Sequence, residues 1–350
     1  MAVQKPGESS RLADPLTAAR GERHSSVRAL ILDPAGELRV RDDHPEPVPA
    51  ADEALIHVRR AGVCDTDLQL VDGYAGFEGV LGHEFVGLVD AADPELGGRR
   101  VVADINIGCG ACPACTHGDG HHCRARATIG IRGRPGVFAE RVALPRRNLV
   151  PVPETVDDEL AVFAEPLAAA LHVLDELEPG PGEVPRVDVL GDGKLGLLIG
   201  LALHAAGQPV RAIGHHRAKL DVAAALGIET SLERELDARD QGAAALVVEA
   251  TGHPSGLSRA LWLARPRGAV ILKTTSAAPI PLDLSTVVVN ELRVIGSRCG
   301  DMARAVDLLA RGGLDPRPLI AARYPLARAT EALEHASRRG VLKVLVDPGC

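Results

Sequence analysis

The stretch "RVDVLGDGKLGLLIGLALHAAG" constrains this chain more than any other. An apolar strand pattern, "VDVL", runs directly into Gly191-x-Gly193-x-x-Gly196, and an apolar helical pattern starts at once. Glycines at this spacing permit a tight turn and a close approach of backbone to a pyrophosphate, which then lies at the positive end of a helix. The three glycines alone are a weak signal. Their position between strand and helix makes Gly191, Gly193, Lys194, Leu195 and Gly196 a candidate dinucleotide site. The same alternation of strand, turn and helix returns in "PVRAIGHHRAKLDVAAALG" and "ALVVEATGHPSGLSRALWLA", and the strands "GAVILKTT" and "ELRVIGSR" follow. It predicts an α/β fold with a doubly wound parallel sheet.

Where an acidic residue would take the adenosine ribose hydroxyls, the second strand ends in Gly214, followed by His215, His216, Arg217 and Lys219. A glycine with cations beyond it accepts a 2′-phosphate that a carboxylate would repel, so NADP is favoured over NAD. The alternative is a charge run that only solvates a helix start. Thr251, Lys273 and Ser297 fall at the carboxyl ends of sheet strands, the edge where ligands bind in such folds.

At 350 residues the chain exceeds the size of one core, so two domains are expected. With 46% apolar residues but only 2% aromatic ones, the core is built of Ala, Val and Leu. From Val27 to about Val150 the chain reads as short strands broken by Gly and Pro, an irregular mostly-β unit. We expect a flexible extension at 1–26, a β-rich domain at 27–160 onto which 299–350 docks back, and a dinucleotide domain at 161–298. A net charge of -8 argues against nucleic acid as partner. No apolar run approaches the roughly 20 residues that span a bilayer, and no secretory h-region opens the chain. The expectation is a cytoplasmic protein with no membrane partner.

Four cysteines crowd into Cys109-x2-Cys112-x2-Cys115-x7-Cys123. Neighbours three residues apart suit a loop wrapped around one ion, and four thiolates close a tetrahedral zinc shell with no position left for substrate. The expectation is a structural zinc; free thiols or a redox cluster are the alternatives. His117, His121 and His122 read as bystanders. A second, dispersed set is Cys64, His83, Glu84 and Glu165: a thiolate, an imidazole and two carboxylates that the cluster does not need.

In this order, "GVCDTD", "GHEFVG", the cysteine cluster, "AEPLAAALH", "GDGKLG" and "EATG" resemble the zinc-dependent medium-chain dehydrogenase/reductase family, in particular its polyol, glucose and threonine dehydrogenase branch. The resemblance covers nearly all of the chain after residue 26. It implies a GroES-like catalytic domain beside a Rossmann domain, two zinc ions per subunit, and hydride transfer between a small alcohol or carbonyl compound and NAD(P). It further implies that Cys64 and His83 hold the catalytic zinc, with Glu84 a fixed or exchangeable ligand and Glu165 a ligand directly or through water. Asp67 would orient His83 through its other ring nitrogen, and Thr66 would relay the alcohol proton. Arg298, in "GSRCG", would contact substrate or cofactor. A homodimer or homotetramer is implied as well. Two departures stand out: Gln69 cannot titrate where some relatives carry a histidine, and the charge of Asp65 would oppose nearby cofactor phosphates. A non-catalytic zinc- and nucleotide-binding scaffold or redox sensor is the rival reading, and it predicts loss of the working ligands, all four of which are present.

Overall fold

The computed structural model describes residues 25–176, 186–275, 280 and 282–349. The extension expected at 1–26 lies outside the described residues apart from its last two positions. Two sheets organise the chain. One is a seven-stranded sheet in which Leu149–Pro151, Arg100–Ala103, Glu84–Val89, Glu53–Gly62, Lys343–Asp347 and Ile320–Pro325 lie side by side, with Arg141–Pro145 also paired to Glu53–Gly62. The C-terminal strand Lys343–Asp347 joins it antiparallel to Glu53–Gly62, with Val346 opposite Ala61.

The other sheet has six strands, all parallel, in the order Glu229–Leu232, Val210–Gly214, Val187–Leu190, Ala244–Glu249, Ala264–Leu272, Arg293–Gly296. The chain leaves Val187–Leu190 toward one edge and returns to start the other at Ala244–Glu249. That reversal opens a crevice at the carboxyl ends of the strands. Its central strand Val187–Leu190 is buried at every position, as parallel strands covered on both faces are. The GroES-like and Rossmann-type two-domain α/β architecture is therefore present.

The stretch "PVPETVDDELAVFAEPLAAALHVL" forms two short helices, Asp158–Ala161 and Ala164–Leu171, and a 3-10 turn at His172–Glu176. Asp157 caps the first piece by accepting from Leu160 N at 2.8 Å. Pro166 sits in the first turn of the second, where a missing N–H is tolerated, so the helix restarts there instead of running through. The restart presents Glu165 at the junction of the two halves. Helix Met302–Ala310 packs on Ala164–Leu171 and joins the same core cluster as Val187 and Val189. Among the described residues no helix is long and apolar enough to cross a membrane.

Candidate active site between the two sheets

A cavity of about 510 Å³ lies between the two halves of the molecule. Cys64, Thr66, His83, Glu84 and Glu165 line one side, and Gly193, Lys194, Leu195, Thr251, Lys273, Ser297 and Arg298 the other. A larger cavity, about 660 Å³, opens near Arg60 and Asp347, which bind each other, and none of the candidate residues reaches it.

Cys64 is the N-cap of helix Asp65–Val71. Asp67, fully buried, accepts from Cys64 N at 2.8 Å and brings its other oxygen to 3.3 Å from His83 Nδ1. That approach lacks hydrogen-bond geometry, so Asp67 Oδ1 and His83 Nδ1 are buried polar atoms without a hydrogen-bond partner. Burial disfavours a charged His83, yet the negative Asp67 and Cys64 override it and hold the ring well above its usual value. The ligand atoms of Cys64, His83 and Glu84 all lie within 4.8 Å of one another. One soft sulfur, one nitrogen and one carboxylate oxygen at this spacing suit zinc with an open position. Glu165 stands outside that group while lining the same cavity. Desolvation pushes its carboxyl up to about 7, with His83 opposing and Glu84 adding. Glu84 is engaged by the buried ammonium of Lys343, which also reaches Val63 O at 3.4 Å. Thr66 Oγ1 lies 3.8 Å from Cys64 Sγ.

The cysteine cluster lies beside the cavity. Cys112 Sγ is 3.5 Å from Cys115 Sγ and 3.7 Å from Cys123 Sγ, and Cys109 Sγ is 4.0 Å from Cys115 Sγ. Sulfurs on a tetrahedral zinc shell stand about 3.8 Å apart, given Zn–S bonds near 2.3 Å. A disulfide needs about 2 Å, and none forms among the described cysteines. Backbone N–H groups of Ala111 and Cys112 hold the Cys109 thiol down at about 6, while at Cys115 the Gly110 N–H is outweighed by burial and the other three thiols, which push that thiol up to about 11. His117 is exposed, donates from Nδ1 to Pro113 O, and stands apart from the sulfurs, whereas His121 binds Asp104 at 2.6 Å.

The glycine turn has distinct demands at each position. Gly191 has φ 126°, and a side chain there would strike Ala250 O; one at Gly196 would strike Gly191 O. Gly193 faces open space, free for a ligand's close approach. Asp65, whose charge seemed adverse, pairs with Lys194 Nζ at 2.6 Å and so ties the zinc cysteine's helix to the glycine turn. Lys273 is held by Ala169 O, Ser297 Oγ and Arg298 O at 2.8, 3.2 and 2.6 Å, and burial pushes its ammonium down to about 8. Thr251 Oγ1 donates to Glu249 at 2.6 Å.

Beyond Gly214, each cation has a carboxylate beside it: His215 with Glu233, His216 and Lys219 with Asp192, Arg217 with Glu235. Asp192, the middle residue of "GDG", accepts from His215 N at 2.8 Å and His216 N at 2.6 Å. The sequence reading passed over it, because the glycine motif leaves that position free. It also passed over Arg126, Arg132 and Lys343, which line the cavity.

A Cys64, His83 and Glu84 group that could hold a metal, facing the carboxyl ends of a doubly wound parallel sheet, has the layout of a class, the zinc-dependent alcohol oxidoreductases. Residues 50–154 match the alcohol dehydrogenase GroES-like domain and residues 195–311 the zinc-binding dehydrogenase domain. The chain belongs to the zinc-dependent medium-chain dehydrogenase/reductase family and is an NAD(P)-dependent enzyme of it. It is 32% identical to L-threonine 3-dehydrogenase of Streptomyces coelicolor, over 92% of this chain and 99% of that one. Sorbitol dehydrogenase of Halalkalibacterium halodurans is 29% identical, over 87% and 94%. A zinc-binding dehydrogenase structure from Sinorhizobium meliloti 1021 with NADP superimposes with a TM-score of 0.83 at 31% identity, covering 93% of this chain and all of that one. An alcohol dehydrogenase from E. coli CFT073 with NADH gives 0.83 at 26%, covering 92% and 100%.

Proposed function

We propose that the enzyme oxidises a polyol or related alcohol, reversibly, at a zinc held by Cys64, His83 and Glu84, with Glu165 as an additional or exchangeable ligand. The observation that carries this reading is the grouping of those three ligand atoms in the cavity that the glycine turn also lines. Zinc, when bound, supplies the Lewis acidity that favours the deprotonated alcohol. Asp67 faces Nδ1 of His83, which leaves Nε2 as the ring's metal donor and fixes the ring's orientation. Thr66 receives the alcohol proton. Gln69 lines the cavity but has no proton to exchange near neutral pH, so the proton passes from Thr66 to solvent at the cavity mouth. Thr66→Val is expected to lower kcat about 10² to 10⁴-fold, the usual share of a positioned proton-transfer group, while Thr66→Ser stays within about tenfold of the parent. Steady-state cofactor reduction decides it: a valine variant as fast as the parent removes Thr66 from the relay.

A second zinc, structural, is supported by the sulfur spacings of Cys109, Cys112, Cys115 and Cys123. For the cofactor we propose NADP, bound along Gly191, Gly193, Lys194, Leu195 and Gly196 with its 2′-phosphate toward Gly214, His215, His216 and Arg217, and with Thr251, Lys273, Ser297 and Arg298 near the nicotinamide half. The carboxylate of Asp192 limits that preference, because it lies against the same backbone. Asp192→Asn keeps an acceptor for His215 N and His216 N but removes the charge. It is expected to raise the NADP-to-NAD ratio of kcat/KM about tenfold, on the scale of one removed like charge near a surface. An unchanged or lowered ratio in paired assays would show that Asp192 does not face the adenosine end.

The division into 27–160 plus 299–350 against 161–298 is supported by the pairing of Lys343–Asp347 with Glu53–Gly62. Helix Met302–Ala310 is the exception, packing with the dinucleotide side. A homodimer or homotetramer is supported by the edge strand Arg293–Gly296 and the exposed Leu284, Val288 and Val289 beside it. The cluster of free thiols, which metal binding needs reduced, supports a cytoplasmic setting.

A further inference from the structure

The charges around the cavity do not balance. Six basic side chains line it, Arg126, Arg132, Lys194, Lys273, Arg298 and Lys343, against the acids Asp65, Glu84 and Glu165. Lys194 is neutralised by Asp65 and Lys343 by Glu84. Glu165 forms no ion pair with any of the six among the described residues. Four cations remain, and among the described residues none of them has a carboxylate partner. Lys273 is tied to three oxygens of its own surroundings. The three arginines are the surplus.

Two of them, Arg126 and Arg132, stand apart from the glycine turn. Arg126 precedes the strand Ala127–Ile129 and Arg132 the strand Gly133–Arg134, both in the small sheet with Asn106–Ile107 on the zinc side of the cavity. The glycine turn lies on the other side. Arg298 reaches across from the end of the last parallel strand, and its Nη2 donates to His121 O at 2.9 Å and toward Asn106 Oδ1 at 3.4 Å. Those two contacts fix one nitrogen of the fork and leave the rest of the guanidinium for a ligand. Arg126 carries the sharper sign: its Nε is buried and has no hydrogen-bond partner. A charged donor left unsatisfied inside a protein is costly, and native structures rarely keep one without a reason. Burial, then the nearby charges of Arg298 and Arg132, press its guanidinium below the usual arginine range, so Arg126 feels the repulsion of both. One bound anion would satisfy the donor and relieve the repulsion together.

We infer that the substrate is an alcohol that also carries an anionic group, a phosphate or a carboxylate, seated on Arg126, Arg132 and Arg298 while its hydroxyl points to the zinc site. This rests on the dehydrogenase reading and adds the substrate's charge to it. Both anions match the planar arginine fork, which makes paired, charge-assisted hydrogen bonds to either. An uncharged polyol supplies no charge to offset the arginines.

The test is calorimetric titration of the zinc-loaded, NADP-saturated enzyme with three probes of similar length: sorbitol, sorbitol 6-phosphate and gluconate. At least one anionic probe is expected to bind about 10- to 100-fold more tightly than sorbitol, the worth of hydrogen bonds to a charged group. Which of the two does so distinguishes phosphate from carboxylate. Arg126→Met is expected to bring that ratio close to one, and Arg126→Lys, which keeps the charge and guards against a folding defect, to restore part of it. All three probes binding within threefold of each other would overturn the inference, as would an anion preference that survives Arg126→Met. Cofactor reduction by the same sample over a set of neutral primary and secondary alcohols is scored separately. Tight anion binding with no reduction by any alcohol would count against the dehydrogenase reading, whereas turnover without anion preference would count against the charged substrate alone.

Discussion

Cys64→Ala is expected to take the zinc content from two ions per chain to one and to lower turnover at least about 10³-fold. Cys64 is the only sulfur in the Cys64, His83 and Glu84 group, and thiolate is the ligand that selects zinc over harder ions. Removing it leaves one imidazole and a carboxylate already engaged by Lys343. Several kilocalories per mole of charge stabilisation at the alcohol oxygen are lost with the ion, hence the thousandfold. Plasma mass spectrometry on the purified protein, with cofactor reduction on the same sample, reads both quantities. The fold is expected to survive, because Cys64 starts a short helix and the sheet beneath it is closed by apolar pairs such as Ile56 and Val89. A variant that keeps both zinc ions and full turnover would remove Cys64 from the working site.

What could be read ahead of the structure divides along physical lines. The glycine turn was legible because each glycine answers a separate steric demand, at Gly191 a positive φ, at Gly196 a contact with Gly191 O, at Gly193 open space. The cysteine cluster was legible because its ligands are neighbours in the chain. The grouping of Cys64, His83 and Glu84 was legible only as an ordered family pattern, since no local spacing joins Cys64 to His83. The surplus of positive charge was not legible at all. Arg126 and Arg132 stand in "RARATIGIRGR", where no local spacing marks them as partners, and only the folded sheet turns them toward the cavity. Lys343 did carry a signal: a lysine inside the apolar run "VLKVLV" must be buried, and a buried lysine needs a carboxylate, here Glu84. The pairing of Asp65 with Lys194 was not legible, because the sequence cannot show that the two lie within reach of each other.

Cys112→Ser is expected to damage the fold as much as Cys64→Ala damages the chemistry. The loop from Cys109 to Cys123 buries little besides Cys123: Cys109 is exposed, Cys112 and Cys115 are half-buried, and its two short helical turns, Pro113–Thr116 and Gly120–His122, bury no residue. A structural zinc contributes roughly 10 to 16 kcal/mol of binding free energy, most of it available to hold such a loop. Losing one thiolate of four is expected to lower the melting temperature by more than about 10 °C, since each kilocalorie per mole moves a domain of 150 to 250 residues by about 2 to 4 °C. The damage reaches the cavity as well, through Arg298 Nη2 on His121 O, so anionic ligands weaken along with the fold. Differential scanning calorimetry with zinc analysis separates the two lesions. Cys64→Ala loses one ion and melts near the parent, whereas Cys112→Ser loses one ion and melts far below it. If Cys112→Ser keeps the parent's melting temperature after losing its ion, backbone contacts hold the loop and the metal is not what folds it.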